Sequence, residues 1–292
     1  MSGSNTHRRA LVTGASGFIG SYVVRGMSDA GYDVTALDIR NTPALPDGVG
    51  MVVADIRHDP FPEEPFDVVI HLAALGGVRA SVERPADYQA TNVDGTRRLL
   101  DWASSGWCGR VVFASSSSVY GVTGGRASVE TDPPAPLSPY AVTKAAGEEL
   151  GRRFAVEGRT FTALRFFTVW GEGQRPDLAL ALFRRKLQAS EAITVFGDGR
   201  QRRDLTHASD VVRAVLAAAD RSGPGFRIFN IGTGRNHSVL EMVGALESKL
   251  GLTANLRFEP GHPADVPETL ADPRRAAEEL GWIARVRFPD GL

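Results

Sequence analysis

Near its start the chain carries a glycine-rich turn directly after a β-like run. Residues 9–12 read Arg-Ala-Leu-Val, and residues 13–20 read Thr-Gly-Ala-Ser-Gly-Phe-Ile-Gly. Glycine at 14 permits a tight turn, and glycine at 17 lets the backbone approach a pyrophosphate closely. Glycine at 20 lets the helix pack closely on the strand. The helix that follows would present its free N–H groups and positive end to phosphates. This spacing predicts a dinucleotide site in a β-turn-α unit.

The residues after the turn complete a βαβ unit. Apolar side chains recur at helical spacing from Phe18 to Ala30, and residues 33–37 have the pattern of a second strand, which ends at Asp38. A carboxylate about 20 residues beyond the glycines accepts hydrogen bonds from an adenosine ribose and repels a 2′-phosphate. The sequence therefore favours NAD over NADP, although Arg40 is a feature that suits NADP.

Composition and charge exclude several classes of partner. The 292 residues carry a formal net charge of −1 and contain no basic block, so no nucleic-acid or anionic membrane surface is expected. No apolar stretch approaches the roughly 20 residues of a membrane span. The first eight residues lack the apolar segment of a signal peptide, which predicts a cytoplasmic protein. The single cysteine, Cys108, and the histidines show no metal-ligand spacing, so no metal is expected.

Strand-like and helical patterns alternate along the first part of the chain. This alternation predicts an α/β fold, a Rossmann-type doubly wound parallel sheet that binds ligands at the carboxyl ends of its strands. After about residue 170 the pattern loosens. We predict an NAD-binding domain over residues 1–170 and a smaller C-terminal substrate-binding domain over residues 171–292, with a late strand near 227–231 returning to the first domain. The predicted strands cover about 8–13, 33–38, 51–54, 67–72, 110–115 and 160–167, and the predicted helices about 18–30, 86–105 and 139–157.

A tyrosine and a lysine are placed for proton transfer. Ser138 is a predicted N-cap and Pro139 the first helical residue, which puts Tyr140 and Lys144 on one helical face. A phenol has a pKa near 10, and a nearby ammonium stabilises its phenolate. The strand before this helix ends in four serines, 115–118, whose hydroxyls can bind a substrate alcohol and relay protons. Together these residues predict removal of a hydroxyl proton as hydride leaves the same carbon.

Over nearly its whole length the chain resembles the extended short-chain dehydrogenases/reductases, within the NAD-dependent nucleotide-sugar epimerase/dehydratase family. Two positions depart from the family pattern: Trp170 replaces the usual Tyr, and Thr168 replaces an Asn found in many members. The stretches that carry the resemblance are TGASGFIG at 13–20, Asp55-Ile56, HLAA at 71–74, Asn92, SSSSVYG at 115–121, SPYAVTK at 138–144, LRFFTVWG at 164–171, RRDLTH at 202–207 and FNIGTG at 229–234.

The resemblance implies a role for each matching residue. Ser116, Tyr140 and Lys144 would form the catalytic set. The family also implies a homodimer through the helices near 92–105 and 140–155. NAD would contact Gly14, Gly17, Phe18, Ile19, Gly20, Asp38, Asp55, Ile56, Leu72, Ala73, Ala74, Tyr140 and Lys144. A UDP-sugar would contact Arg79, Ser116, Ser117, Ser118, Thr168, Arg175, Arg203 and Asp265.

The residues after Ser116 select among members of the family. Sugar-nucleotide dehydratases carry Asp-Glu at the positions of Ser117 and Ser118, because elimination of water needs an acid and a base. UDP-glucuronate decarboxylases usually carry Glu at the position of Ser118. Serines at both positions therefore argue against dehydration and, less strongly, against decarboxylation.

Two arginine-containing segments favour one branch of the epimerases. Residues 77–79, Gly-Val-Arg, and residues 175–177, Arg-Pro-Asp, resemble UDP-glucuronate 4-epimerases. A guanidinium suits a C6 carboxylate or a phosphate, so Arg175 is the candidate carboxylate anchor, with a diphosphate contact or a salt bridge as the alternative. We expect epimerisation of UDP-glucuronate at C4 through a 4-keto intermediate. Decarboxylation of UDP-glucuronate, epimerisation of UDP-glucose and non-catalytic NAD sensing are the alternatives.

Overall fold

The structure is a computed structural model that describes residues 8–41, 45–261 and 265–292. Its strands alternate with helices through most of the chain. The strands are β1 (Arg9–Thr13), β2 (Asp33–Asp38), β3 (Gly50–Val53), β4 (Val68–His71), β5 (Arg110–Ser116), β6 (Thr160–Phe166), β7 (Thr168–Trp170), β8 (Ile193–Phe196), β9 (Arg202–His207), β10 (Gly225–Ile231), β11 (Asn236–Ser238) and β12 (Leu256–Glu259). The α-helices are α1 (Phe18–Asp29), α2 (Val78–Glu83), α3 (Pro85–Tyr88), α4 (Gly95–Trp102), α5 (Pro139–Phe154), α6 (Ala179–Gln188), α7 (Ala208–Arg221), α8 (Val239–Leu250) and α9 (Arg274–Leu280).

A parallel sheet of seven strands forms the centre of the molecule, in the order β10-β6-β5-β4-β1-β2-β3. In its register Val12 of β1 lies between Ala36 of β2 and Ile70 of β4. The order reverses at β1, so a crevice opens between the carboxyl ends of β1 and β4, where such folds bind ligands. The predicted α/β, doubly wound fold is confirmed, and the glycine-rich turn lies at the reversal point.

Helices cover both faces of the sheet. On one face α1 packs beside α7 so closely that a Cβ on Gly26 would stand 2.2 Å from Cγ1 of Val212. The core of the other face includes Leu99 of α4, Phe154 of α5 and Phe161 of β6. Both faces bury apolar side chains, which explains why the central strands are apolar along most of their length. Helix α5 is therefore anchored to the sheet through this core.

The predicted helix over 86–105 is interrupted by two wider turns. After α3 the chain is π-helical over Gln89–Asp94, and α4 is followed by a second π-helical segment, Ala103–Trp107. Asn92 in the first of these segments binds the backbone of Leu75, with its Oδ1 accepting from N–H at 2.8 Å and its Nδ2 donating to O at 3.0 Å. The wide turn thus directs an amide side chain towards the loop after β4, a use typical of π-bulges.

A smaller set of elements packs beyond the carboxyl ends of the central strands. The sheets β11-β9-β7 and β12-β8, together with α6 and α8, enclose a separate apolar cluster that includes Trp170, Phe183 and Leu246. Ser238 and Glu241 form a capping box at the start of α8. The strand β10, which follows α7 in the chain, pairs in parallel with β6 of the central sheet. The domain boundary at residue 170 stays a prediction. Within the described residues, none of the helices combines the length and apolar character needed to cross a membrane.

Candidate active site

A cavity of about 560 Å³ lies at the carboxyl ends of the central strands. Its volume is in the range typical of small-molecule sites. The cavity wall also includes residues that were not predicted, among them Gly76, Gly77, Leu137, Leu178 and Val266. The predicted residues that line it are Gly14, Gly17, Phe18, Ile19, Gly20, Leu72, Ala74, Ser116, Ser117, Ser118, Tyr140, Lys144, Thr168, Arg175, Arg203 and Asp265.

The glycine-rich turn leaves no room for side chains at two of its glycines. Gly14 has a φ of +71°, and a Cβ there would stand 2.6 Å from the Ala73 nitrogen. A Cβ on Gly20 would stand 2.0 Å from the Gly14 oxygen. Gly17 is the N-cap of α1 and makes no side-chain cap, so N–H groups of the first turn of α1 are available to a ligand. The turn is thus built to hold phosphate against backbone.

Asp38 lies at the end of β2 beside this turn. Its carboxylate accepts a hydrogen bond from the Ser16 N–H at 3.0 Å and from the Arg40 N–H at 3.1 Å. The side chain of Arg40 is two-thirds exposed, and its Nε lies 3.6 Å from Asp38 Oδ1. Asp38 itself is outside the cavity lining, next to Ser16 of the turn. The carboxylate is therefore fixed at the position where an adenosine ribose would arrive in this fold.

Tyr140 and Lys144 occupy the first turns of α5. The Ser138 side chain accepts a hydrogen bond from the Ala141 N–H at 3.2 Å, which confirms the predicted N-cap. Lys144 is buried, and its Nζ donates to the Ala114 carbonyl oxygen at 2.7 Å. The same Nζ lies 5.9 Å from the centre of the Tyr140 ring. Helix α5 thus brings the ammonium beside the phenol, as the four-residue spacing predicts.

Burial and nearby charges set the protonation of this pair. Burial lowers the pKa of Lys144 to about 8, and the negative charge of Glu148 acts in the opposite direction. Burial raises the pKa of Tyr140, while hydrogen bonding with Ser116 and the positive charge of Arg175 lower it. A buried phenol such as Tyr140 accepts a proton only where neighbouring groups, here Ser116 and Arg175, stabilise its anion.

The serine cluster follows β5 directly. Ser116 ends the strand and caps the short 3₁₀ turn Ser117–Tyr120, because its Oγ accepts from the Ser118 N–H at 3.2 Å. The Ser118 hydroxyl is 2.9 Å from the same Oγ. Ser115 is buried, and its hydroxyl donates to Glu148. All four serines, 115–118, line the cavity together with Tyr140, and the Ser115 hydroxyl is the one bound to Glu148 behind it.

Arg175 lines the same cavity and is held by a neighbouring carboxylate. Its Nε and Nη2 donate to Asp177 Oδ1 and Oδ2 at 3.0 and 2.8 Å. A Cβ on Gly76 would stand 2.9 Å from Arg175 Nη1, so the missing side chain makes room for the guanidinium. Asp177 occupies one edge of the guanidinium, and the edge formed by Nη1 and Nη2 can still bind a second carboxylate.

The family comparison covers the elements just described. A model of the NAD dependent epimerase/dehydratase family matches residues 10–232, a range that holds the glycine-rich turn, the serine cluster and the Tyr140–Lys144 pair. The chain belongs to this family. The resemblance to nucleotide-sugar epimerases inferred from the motifs is thereby confirmed.

Several members of the family are similar to this chain over nearly its whole length. The UDP-glucuronate 4-epimerase of Thermodesulfobacterium geofontis is 33% identical over 303 residues, which cover 97% of this chain and 93% of that protein. The solved structure of MoeE5 in complex with UDP-glucuronic acid and NAD is 41% identical, with a TM-score of 0.90 and coverage of 97% and 96%. The UDP-glucuronic acid 4-epimerase from Bacillus cereus, in complex with UDP-glucuronic acid and NAD, is 32% identical, with a TM-score of 0.88 and the same coverage.

NAD is the cofactor of this epimerase/dehydratase family, and the residues present fit it. The uncapped start of α1 and the glycines without space for a Cβ suit a pyrophosphate at Gly14 and Gly17. Asp38 suits a ribose with a free 2′-hydroxyl, since its carboxylate would repel a phosphate there.

Some predicted residues of this family member lie outside the cavity lining. The Asp55 carboxylate accepts from Arg57 Nη2 at 2.6 Å, and the Ile56 side chain is buried in the core against Gly95. The Ala73 N–H donates to Thr13 Oγ1 at 3.3 Å. Their contacts with NAD stay predictions.

The predicted arginines on the far side of the cavity form a small charged cluster. Arg79 Nη2 lies 2.6 Å from Asp265 Oδ2, and its guanidinium lies 4.1 Å from the centre of the Phe196 ring. Arg203 Nη1 donates to the Arg202 carbonyl oxygen at 2.8 Å, and burial lowers the pKa of Arg203. Asp265 and Arg203 line the cavity, whereas Arg79 reaches it only through Asp265.

The sequence pattern gave no role to Tyr88. This residue is 1% exposed, and its hydroxyl lies 2.9 Å from the Gly76 oxygen and 3.1 Å from the Gly77 oxygen. Its ring packs edge to face on Tyr140, with 6.3 Å between centres. The pair of glycines after HLAA is the local signal that could have indicated a special backbone here. Tyr88 therefore supports both the Gly76–Gly77 backbone, which lies beside Arg175, and the ring of Tyr140.

A chain of buried hydrogen bonds was also not predicted. His71 Nδ1 lies 2.8 Å from Thr13 Oγ1, and its Nε2 lies 2.9 Å from Thr96 Oγ1. Thr96 donates its proton to the Asn92 carbonyl oxygen at 2.7 Å, so His71 Nε2 must carry the hydrogen and Nδ1 must accept one. Asn92 Nδ2 then donates to Thr143 Oγ1 at 3.0 Å. The chain connects the glycine-rich turn to α5.

Proposed function

We propose that the protein is an NAD-dependent UDP-glucuronate 4-epimerase. The observation that carries this proposal is the position of Arg175. Its guanidinium lines the same cavity as Tyr140, and its charge acts on the phenol. A guanidinium there pairs naturally with the C6 carboxylate of a hexuronate, while Tyr140 meets the C4 hydroxyl of the same ring.

The family members reported above support the same substrate. One curated relative is named as a UDP-glucuronate 4-epimerase, and two solved structures hold UDP-glucuronic acid with NAD. Ser117 and Ser118 occupy positions where a dehydratase or decarboxylase would place carboxylates, and both line the cavity. The pocket is therefore supplied with hydroxyls, which suits binding of a sugar without acid catalysis of an elimination.

In the proposed mechanism Tyr140 removes the proton of the C4 hydroxyl, and Lys144 stabilises the phenolate that performs this step. Ser116 binds the same oxygen through its hydroxyl. NAD, when bound, supplies reversible hydride transfer at C4. The 4-keto sugar then turns over within the cavity, so that hydride would return to the opposite face of C4, and Tyr140 returns its proton to the oxygen as the C4 epimer forms.

The 4-keto intermediate is a β-keto acid, so epimerisation requires that its carboxylate be retained. Loss of CO₂ needs the C–C bond to the carboxylate to stand perpendicular to the ketone plane. Arg175, fixed by two hydrogen bonds to Asp177, would pair with the carboxylate and stabilise the negative charge that loss of CO₂ would move onto the ketone oxygen. This arrangement supports epimerisation over decarboxylation.

Proton NMR of UDP-glucuronate with the purified protein, without added cofactor, tests the proposal. We expect new signals of UDP-galacturonate, and none with the Tyr140→Phe variant, which should still retain NAD. Signals of UDP-xylose or a 4-keto pentose would establish a decarboxylase instead. Turnover of UDP-glucose alone would move the assignment to a UDP-glucose 4-epimerase, and retained NAD without turnover of any UDP-sugar would indicate an NAD-sensing protein.

We also propose that the protein forms a homodimer and acts in the cytoplasm. Support for the dimer comes from apolar side chains near the start of α5, where Leu137 is 56% and Val142 is 49% exposed. A second copy packed on this face would cover them. Sedimentation of the purified protein measures the assembly state, and the Val142→Glu variant should shift a dimer towards the monomer.

A further inference from the structure

A buried ion pair lies directly behind the proposed catalytic residues. Glu148 follows Lys144 by one turn of α5, and the two residues are 5% and 4% exposed. Arg165 on β6 is 1% exposed and donates two hydrogen bonds to the Glu148 carboxylate, from Nε at 2.8 Å and from Nη2 at 2.7 Å. The carboxylate is thus paired and fixed in one orientation.

The same carboxylate holds the strand end that carries Ser116. Ser115 Oγ donates to Glu148 Oε1 at 2.5 Å. The preceding residue, Ala114, accepts the hydrogen bond of Lys144 through its carbonyl oxygen at 2.7 Å. Two consecutive residues of β5 are therefore tied to α5, one through Glu148 and one through Lys144. The next residue along the strand is Ser116, so its distance from Tyr140 depends on these two ties.

Neither Glu148 nor Arg165 belongs to the described wall of the cavity, and neither takes part in the proposed mechanism. Burying two charges carries a desolvation cost that an apolar pair of similar volume would avoid. Glu148 lies one helical turn from Lys144, so its negative charge acts on the Lys144 ammonium. An opposite charge nearby favours the charged form of a lysine, whereas burial disfavours it.

We propose that Glu148 is a positioning residue, which fixes the end of β5 against α5 through Ser115 and keeps Lys144 charged beside Tyr140. This inference rests on the proposed function, because it assigns a purpose to the charge of Lys144 in that reaction. Arg165 in turn holds Glu148 in place through its two hydrogen bonds.

The groups around Lys144 define the expected pH dependence. They are Tyr140 and Glu148 on the same helix, His71 on β4, and Arg165 on β6 behind Glu148. Burial lowers the pKa of His71 to about 3, so it is neutral in the working range. Burial also lowers the pKa of Lys144 to about 8, and Glu148 opposes that shift. Without the charge of Glu148, Lys144 should therefore lose its own proton at a lower pH.

The Glu148→Gln variant tests the inference, with Glu149→Gln as the matched control. Glu149 is the next residue of the same helix, and its side chain is about half exposed. The alkaline limb of the kcat profile is the range in which kcat falls as pH rises. With UDP-glucuronate, we expect this limb to lie about one pH unit or more lower in Glu148→Gln than in the unmodified protein. The control should keep the limb of the unmodified protein, and Glu148→Asp should restore it. A limb that stays in place in Glu148→Gln, even with lower kcat, would overturn the proposal and leave Glu148 a structural residue.

A second variant covers the case in which Glu148→Gln does not fold because Arg165 is left unpaired. Glu148→Gln with Arg165→Gln removes both charges, and the alkaline limb should again move to lower pH. An unmoved limb in this variant would contradict the electrostatic role.

A measurement without turnover separates this inference from the proposed function. The folded chain holds the Lys144 pKa below its unfolded value, so its stability gains with pH once pH passes the folded value. Thermal unfolding from about pH 7 to 10 should show this gain at lower pH in Glu148→Gln than in Glu149→Gln. The same onset in both variants would overturn the inference. If the two variants differ in thermal unfolding as expected but the unmodified protein does not turn over UDP-glucuronate, only the proposed function would be overturned.

Discussion

The Ser118 hydroxyl lies 2.9 Å from Ser116 Oγ, and the Ser118 N–H donates to the same oxygen at 3.2 Å. If both groups donate, Ser116 Oγ accepts twice and its own proton is free to be donated. That proton can then reach the oxygen of Tyr140 or of a substrate, consistent with the effect of Ser116 in lowering the pKa of Tyr140. The orientation of Ser116 is thus determined by its neighbour two residues on.

Ser118→Ala should therefore lower kcat. The lost hydroxyl removes one hydrogen bond of about 1 kcal/mol, which corresponds to a roughly fivefold slower step. Steady-state assays with UDP-glucuronate measure the change, and Ser104→Ala, an exposed serine after α4, is the control. An unchanged kcat in Ser118→Ala would show that Ser116 is oriented by other groups.

Arg175→Ala should discriminate between substrates. Loss of a charge-assisted contact of about 1.5 to 3 kcal/mol raises KM for UDP-glucuronate roughly 10-fold to 100-fold. KM for UDP-glucose, which has no carboxylate at C6, should change much less. Arg200→Ala is the matched control, since the Arg200 side chain is 86% exposed and lies outside the cavity wall. An equal loss for both sugars would assign Arg175 to the diphosphate.

Asp177→Asn should have a smaller effect in the same direction. The two hydrogen bonds from Arg175 to Asp177 fix the guanidinium plane, and an amide retains only one acceptor for them. We expect a rise in KM for UDP-glucuronate that is a fraction of the rise in Arg175→Ala. A lower KM would mean instead that Asp177 competes with the substrate carboxylate for Arg175.

Turnover should decline as pH rises through about 8, where Lys144 loses its proton. The neutral amine no longer stabilises the negative charge that Tyr140 carries in the proton-transfer step, so this step should be slower above that pH. His71 should contribute no limb between about pH 5 and 8, because its pKa is about 3. A pH profile of kcat measures both expectations, and a flat profile up to pH 10, near the ordinary lysine pKa, would contradict the role of Lys144.

Gly20→Ala should destabilise the protein and prevent NAD binding. The added Cβ would stand 2.0 Å from the Gly14 oxygen, so either the turn or α1 must shift. The cost is that of core overpacking, typically about 1 to 3 kcal/mol. Gly244→Ala is the control, because a Cβ at this position in α8 meets open space and should slightly stabilise the helix. Thermal unfolding and the NAD content of the purified variants measure the difference.

Local signals predicted the elements that hold the chemistry. The turn at 13–20 and the caps of α5 involve contacts within a few residues, so their spacing alone determines them. Ser138 caps α5 as expected, and the late strand near 227–231 corresponds to β10. The capping box of Ser238 and Glu241 is an equally local signal, which would have predicted α8 in a region where the alternating pattern weakens.

Contacts between distant residues determined what the sequence did not predict. The π-helical turn at Gln89–Asp94 orients Asn92 towards Leu75 and Thr143, and neither partner is near it in sequence. Arg79 pairs with Asp265, 186 residues away, across the cavity. Periodicity reports which face of an element is buried, and it carries no information about which remote residue the element will meet.

The position of β10 at the edge of the central sheet has a consequence for biosynthesis. The strand pairs with β6, yet the ribosome makes β7, α6, β8, β9 and α7 between the two. The nascent chain therefore cannot complete its central sheet before β7, α6, β8, β9 and α7 have been made. Once β6 has left the ribosome and until β10 follows it, β6 has one unpaired edge, a surface prone to association with other chains. The central sheet thus reaches its final form late in translation.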